Sequence, residues 1–102
     1  MNRKEFLKSE IEHNPSDPLN YYMLALEYKK EGDKALSTSQ FDHLIELYPH
    51  YLPTYYTYGA YLIEIGEEDK AEQILMKGHS LALETGQEKM AKEIQSLLEL
   101  YF

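Results

Sequence analysis

Two stretches of sequence decide the fold, because they match each other: residues 19–33 read LNYYMLALEYKKEGD and residues 53–67 read PTYYTYGAYLIEIGE. The shift between them is 34 residues, and the residues that coincide are aromatic, small or turn-forming: Tyr21–Tyr22 on Tyr55–Tyr56, Ala25 on Gly59, and Gly32 on Gly66. Four residues before each stretch, Pro15 coincides with Pro49 at the same shift. Since three kinds of residue agree on one offset, the chain contains an internal repeat.

Each repeat is predicted to form two helices. In the first repeat, apolar residues recur at three-to-four spacing, which indicates an amphipathic helix from about Leu19 to Glu31. We expect Gly32 to end this helix in the left-handed conformation and Asp33 to cap the next one. That next helix stops before Pro49. Its apolar residues are Leu36, Phe41, Leu44, Ile45 and Leu47.

The second repeat follows the same order. We predict a helix over Leu52 to Ile65, a stop at Gly66, and a helix from Asp69 to about Leu83. The acidic run Glu67–Asp69 then complements the positive end of the helix dipole.

A single helix is predicted on each side of the two repeats. Residues 3–13 align with the second helix of a repeat, and their apolar side chains are few, which predicts a weakly held helix: Phe6, Leu7 and Ile11. A helix predicted from Glu88 to Tyr101 has its apolar residues on one face: Met90, Ile94, Leu97, Leu98 and Tyr101. Its opposite face is polar, as a helix that caps a solenoid requires.

The repeats resemble the tetratricopeptide repeat, a 34-residue helix–turn–helix unit. The residues at its characteristic positions are Tyr21, Leu24, Ala25, Tyr28, Ser37, Phe41 and Pro49 in the first repeat, and Tyr55, Tyr58, Gly59, Leu62, Ala71, Leu75 and Leu83 in the second. Ser37 replaces a small apolar residue, which is tolerable if its hydroxyl bonds the backbone. Leu83 replaces a proline, so we expect its helix to continue to about Glu84.

The resemblance implies an all-α fold, a short right-handed α-solenoid that forms a single domain over residues 1–102. Within it we expect a half-repeat helix over 3–13, repeats over 18–51 and 52–85, and a capping helix over 86–102.

The composition disfavours several classes of protein. Eighteen Asp and Glu against ten Lys and Arg give a net charge of −8, which argues against nucleic-acid binding. There is no cysteine for a disulfide or a thiolate site, and no apolar run is long enough for a membrane span. Charges between Met1 and Lys8 argue against a signal peptide, so we expect a cytoplasmic protein.

Two pairs of residues have spacings found in metal or catalytic sites, but neither pair has the further residues that such a site requires. Glu10 and His13 have the spacing of a di-iron bundle but lack a second pair. His43 and Glu46 share a helix face, and Ser37 and Ser39 lie one to two turns earlier, yet no nucleophile-elbow glycines surround either serine. We therefore predict no catalytic residue, no metal and no cofactor, in a protein that is not an enzyme.

The resemblance further implies a scaffold that binds another protein or peptide. In this family the first helix of each repeat lines a concave groove for a peptide or a partner's helix. The corresponding positions are mostly apolar or aromatic: Tyr22, Leu26, Lys29, Tyr56, Ala60, Ile63, Met90 and Ile94. One subgroup of the family holds a chaperone's terminal carboxylate with Lys, Asn and Arg. Those places are occupied here by Tyr22, Leu26, Thr57, Gln87 and Ala91.

The sequence leaves two alternatives open. Tyr22 and Tyr56 can belong either to the groove or to a core that the last helix covers. The chain can also be a self-assembling structural subunit, a weak homo-oligomer, since the terminal helices and Leu100–Phe102 offer apolar surface to a second copy.

Overall fold

The structure, a computed structural model, describes residues 2–102, and these form six α-helices and no strand. The helices are α1 (Arg3–His13), α2 (Pro18–Lys30), α3 (Lys34–Leu47), α4 (Pro53–Glu64), α5 (Glu68–Glu84) and α6 (Glu88–Tyr101). Each predicted helix is present, and its ends lie within about two residues of those expected. The all-α prediction is confirmed.

The chain divides into two compact units, Met1–Tyr51 and Leu52–Phe102. In the first unit α2 packs against both α1 and α3, and in the second α5 packs against both α4 and α6. The helices α4 and α6 also touch each other. The division between Tyr51 and Leu52 coincides with the end of the first 34-residue repeat in the sequence.

The turn inside the first repeat is set by Gly32, which has a φ of 78°. Its N–H donates to the carbonyl of Lys29 over 3.0 Å, and the N–H of Asp33 donates to the carbonyl of Tyr28 over 3.1 Å. These two bonds form a Schellman motif, whose left-handed residue is usually glycine because a side chain is strained there. Gly66 ends α4 in the same way, as the sequence predicts, and Gly86 ends α5 likewise.

Polar side chains hold the starts of the first three helices. Asn2, Asp17 and Asp33 each accept a hydrogen bond from a backbone N–H of the first turn, over 2.8, 3.0 and 3.0 Å. The predicted capping role of Asp33 is thereby confirmed. Helix α5 instead begins with Glu68 and Asp69, whose charges favour the positive end of the helix dipole.

In the first unit, α2 and α3 carry buried apolar side chains and one buried serine. The core residues are Tyr21, Leu24, Ala25 and Tyr28 of α2 with Phe41 and Leu44 of α3. Ser37 is also fully buried, and its hydroxyl donates to the carbonyl of Lys34 over 3.2 Å. This bond satisfies the hydroxyl, so a serine is tolerated at a position where the family has a small apolar residue.

In the second unit, α4 and α5 approach closely because two glycines lie in their contact. A methyl group on Gly59 would lie 2.3 Å from Leu75, and one on Gly78 would lie 2.4 Å from the Cβ atom of Tyr55. Both distances are far below the ~3.5 Å that separates carbon atoms in contact. At Gly78 the obstacle is a Cβ atom, so the helices have no room there for a side chain, whereas at Gly59 the obstacle is the Leu75 side chain, which can rotate.

Three side chains that the sequence places on apolar faces are exposed: Leu36 and Leu47 of α3, and Tyr101 of α6. The buried residues of α3 are Ser37, Phe41 and Leu44. At about 100° per residue, positions 36 and 47 lie roughly a quarter turn away from that line. On α6 the buried residues are Ala91 and Ile94, so the contact surface of this helix is narrower than the sequence predicts.

Candidate functional site

The face of α2 that the resemblance assigns to a groove remains partly exposed. Tyr22, Leu26 and Lys29 are each half-buried, and their spacing of four and three residues places them along one side of the helix. We call these three residues the α2 strip. The Tyr22 ring packs edge-on against Tyr51, with 5.8 Å between centroids and 72° between planes. Tyr22 is therefore partly accessible and held in place by a second aromatic ring.

The matching face of α4 is also partly exposed, and it carries no charge. Tyr56, Ala60 and Ile63, the α4 strip, are half-buried at the same spacing. Between Pro53 and Ile63 the helix contains no Asp, Glu, Lys or Arg, although the water-facing side of a helix is usually charged. Like Tyr22, Tyr56 is neither fully covered nor fully exposed.

Of the two α6 residues that the sequence assigns to the groove, Met90 is accessible and Ile94 is not. Met90 is half-buried and lines a cleft of about 380 Å³ with Gln87, Glu88, Lys89 and Glu93. Ile94 has no exposed surface, and its Cδ1 atom would lie 3.1 Å from a methyl group on Gly78. The assignment of Ile94 to the groove is therefore wrong, because α6 packs this side chain against α5.

Aromatic side chains around the loop after α3 form a cleft that the sequence did not assign. This cleft of about 350 Å³ is lined by Pro18, Leu47, Tyr48, Pro49, His50 and Tyr51. The hydroxyls of Tyr21 and Tyr48 both donate to the carbonyl of Pro15, which ties this loop to the loop between α1 and α2. Burial raises the pKa of Tyr48 and of Tyr51 above the ordinary tyrosine value. The sequence signal for this cleft is the density of tyrosine that begins at Tyr48.

Two histidines that stand near carboxylates in the sequence make local contacts in the structure. Nδ1 of His13 lies 2.7 Å from the carbonyl oxygen of Ser9, and the ring of His43 lies 6.0 Å from that of Tyr21. Among residues 2–102, no three His, Cys, Asp or Glu side chains group closely enough to hold a metal ion. Within that same range, every helix is too short or too polar to cross a membrane.

Comparison with known proteins identifies the family. No protein-family model matches the chain, and no curated protein matches it. Two solved structures are similar to it, both of a tetratricopeptide repeat domain protein from Salinibacter ruber. The solution NMR structure is 31% identical with a TM-score of 0.76, over 82% of this chain and 85% of that chain. The crystal structure is 30% identical with a TM-score of 0.71, over 80% of this chain and 91% of that chain. With this similarity over most of both chains, and with the 34-residue period and six helices described above, the chain belongs to the tetratricopeptide repeat family and has its all-α helical-repeat fold.

Proposed function

We propose that this chain is a noncatalytic protein–protein interaction module that binds apolar or aromatic side chains of a partner. Membership of the tetratricopeptide repeat family supports the interaction role. The observation that carries the proposal further is the α4 strip, which is half-exposed and lies on a helix without charged residues from Pro53 to Ile63. A helix surface that only faced water would usually carry charged side chains.

The first unit offers a similar surface in the α2 strip. Tyr22 and Leu26 supply aromatic and aliphatic surface, and Lys29 adds one positive charge. Tyrosine suits such a surface, because its ring is apolar while its hydroxyl can hydrogen-bond to a partner. In the second unit Met90 adds a flexible apolar side chain from α6, a helix that contacts α4.

The proposed partner presents apolar anchors, either on one face of a helix or along an extended segment. A free acidic C-terminus fits poorly, because none of the five positions that would clamp a carboxylate carries a basic side chain: Tyr22, Leu26, Thr57, Gln87 and Ala91. Since apolar contact is not screened by ions, the complex should persist in about 1 M salt. A complex held by charged groups would dissociate under that condition.

The experiment replaces two residues of the α4 strip with glutamine, which is polar and uncharged. Proteins retained from the source cell by the wild-type chain are identified, and the dissociation constant of the tightest binder is measured for each variant. Tyr56→Gln combined with Ile63→Gln should weaken binding at least tenfold, about 1.4 kcal/mol, while the circular dichroism spectrum stays unchanged.

Met76→Gln is the matched control for this experiment. It makes the same apolar-to-amide change at an exposed side chain of α5, outside both strips, and should leave binding unchanged. Equal weakening by the control, or a partner that is released by salt alone, would reject the proposal.

Self-assembly is the second candidate function, and the exposed residues after Glu99 favour it. Leu100 is 72% exposed, Tyr101 54% and Phe102 46%. Against it, Lys89 and Lys92 on the polar side of α6 are exposed, which disfavours packing of a second copy on that side. Light scattering over a range of concentrations decides, since a constant monomer mass would remove this candidate.

A further inference from the structure

We infer that charged groups hold α1 on α2 and that high salt releases it. Release of α1 uncovers a buried apolar surface of α2. The inference concerns the first unit alone and does not depend on the proposed binding strips.

The apolar contact between α1 and α2 is small. Leu7 is the buried residue of α1, and it packs in one cluster with Leu24 and Tyr28 of α2. Ile11 of α1 reaches the same cluster but remains partly exposed. Phe6, the largest apolar side chain of the helix, is 50% exposed and contributes little to this contact. One buried leucine is a weak apolar anchor for an eleven-residue helix.

Charged groups add to this attachment. Nε of Arg3 lies 2.8 Å from a carboxylate oxygen of Glu27, and Nζ of Lys4 lies 2.9 Å from one of Glu31. The hydrogen bond to Glu31 raises the pKa of Lys4 above its ordinary value. In addition, the ammonium groups of Lys4 and Lys8 lie 5.8 and 6.0 Å from the centroid of the Tyr28 ring, within the range of a cation–π contact.

High salt should weaken the contact between α1 and α2 more than the contact between α2 and α3. The screening length falls from about 10 Å at 0.1 M salt to about 3 Å at 1 M, and exposed ion pairs weaken accordingly. The α2–α3 contact includes Phe41 and Leu44, which are fully buried and apolar, so salt does not weaken it. High salt should therefore loosen α1 while α2 and α3 stay together.

Release of α1 changes the surface of the first unit. Leu24 and Tyr28 are 4% and 8% exposed with α1 in place, and they lose the cover of Leu7 when it leaves. The carboxylates of Glu27 and Glu31 lose their basic partners at the same time. The uncovered surface is thus apolar with an acidic edge, and α1 itself shows that a helix with a leucine between basic side chains fits it.

Amide hydrogen exchange of the full chain, read by mass spectrometry at about 0.05 and 1 M sodium chloride, tests the inference. Exchange over residues 3–13 should become at least tenfold faster in high salt, while residues 18–30 and 34–47 change by less than about twofold. Equal protection of α1 at both salt concentrations would overturn the inference. So would a uniform acceleration over all three helices, which would indicate global loosening.

Variants separate the charged attachment from the apolar one. Glu27→Gln with Glu31→Gln should speed exchange of α1 about tenfold already at low salt and abolish most of the further salt effect. Glu12→Gln with Glu46→Gln is the control, since it changes the net charge equally at two exposed residues and should leave exchange of α1 near the wild-type rate. Leu7→Ala should speed exchange at both salt concentrations and keep the salt dependence. If the Glu27 and Glu31 variant behaves like its control, charged groups do not hold α1.

Discussion

Replacing Gly78 with alanine tests the close approach of α4 and α5 in the second unit. The added methyl group would lie 2.4 Å from Cβ of Tyr55 and 3.1 Å from Cδ1 of Ile94. Because a Cβ atom is attached directly to the backbone, Tyr55 cannot rotate away, and α4 and α5 must move apart. Restoring a carbon–carbon distance of about 3.5 Å requires a shift of about 1 Å.

The magnitude follows from two opposing effects. Overpacking a dense core costs about 1–3 kcal/mol, and contact with two helices places Gly78→Ala towards the upper end. Alanine gains up to about 1 kcal/mol over glycine as a helix former. We therefore expect a net loss of about 2 kcal/mol in the free energy of unfolding. For a domain of this size, that loss lowers the melting temperature by about 8–16 °C.

Thermal and urea unfolding, followed by far-ultraviolet circular dichroism, measure this loss. Gly59→Ala is the matched comparison, because its methyl group would meet the end of the Leu75 side chain, which can rotate; its loss should be smaller. Gln73→Ala, at an exposed position of α5, should change stability by less than about 0.5 kcal/mol. A Gly78→Ala chain as stable as the wild type would show that α4 and α5 can separate freely, and would refute the reasoning from close approach.

Three further changes test other features of the fold, each by denaturant unfolding unless stated. Gly66→Ala should cost about 1–2 kcal/mol, because φ is 82° there although a methyl group would meet nothing within 4 Å; Gly66→Asn should cost less. Thr54→Val should stabilise the fold by about 1 kcal/mol, since the fully buried hydroxyl has no hydrogen-bond partner among residues 2–102 and valine has nearly the same shape; a loss of stability would contradict this. Burial raises the pKa of Tyr51 and Tyr55 in the folded chain, so their contribution to stability is complete below pH about 10 and is lost as the pH rises further. Melting temperature measured against pH checks this, and Tyr55→Phe should make the decline shallower.

The helix ends could be predicted from the sequence because the signals that set them are local. At the end of α2 the N–H of Gly32 bonds the carbonyl three residues earlier and the N–H of Asp33 bonds the carbonyl five residues earlier. The Asp33 side chain caps α3 by accepting from the N–H three residues later. Such signals act within a few residues, so they do not depend on the rest of the fold. The same holds for Leu83, whose replacement of a proline lets α5 run to Glu84.

The candidate site could be predicted only in part. Helical spacing places Tyr22 with Leu26 and Tyr56 with Ile63, because spacing fixes which residues share a face, and all four are half-buried. It could not fix how α6 is rotated about its own axis against α5, which buries Ile94 and leaves Met90 half-exposed. Spacing also gave no sign that Tyr22 packs against Tyr51 on the loop after α3.

By itself the sequence determined the period, the order of helices and turns, and the resemblance to the family, since all three follow from residues that recur at a fixed offset. Only the tertiary structure decided how large a side chain each helix contact admits. Leu44 and Gly78 occupy the same position of their repeats, and both are buried. The contact between α2 and α3 accommodates Leu44. In the contact between α4 and α5, Cβ of Tyr55 lies so close to Gly78 that a methyl group has no room. The distance between two packed helices depends on every side chain along their contact, so no local pattern in the sequence determines that distance.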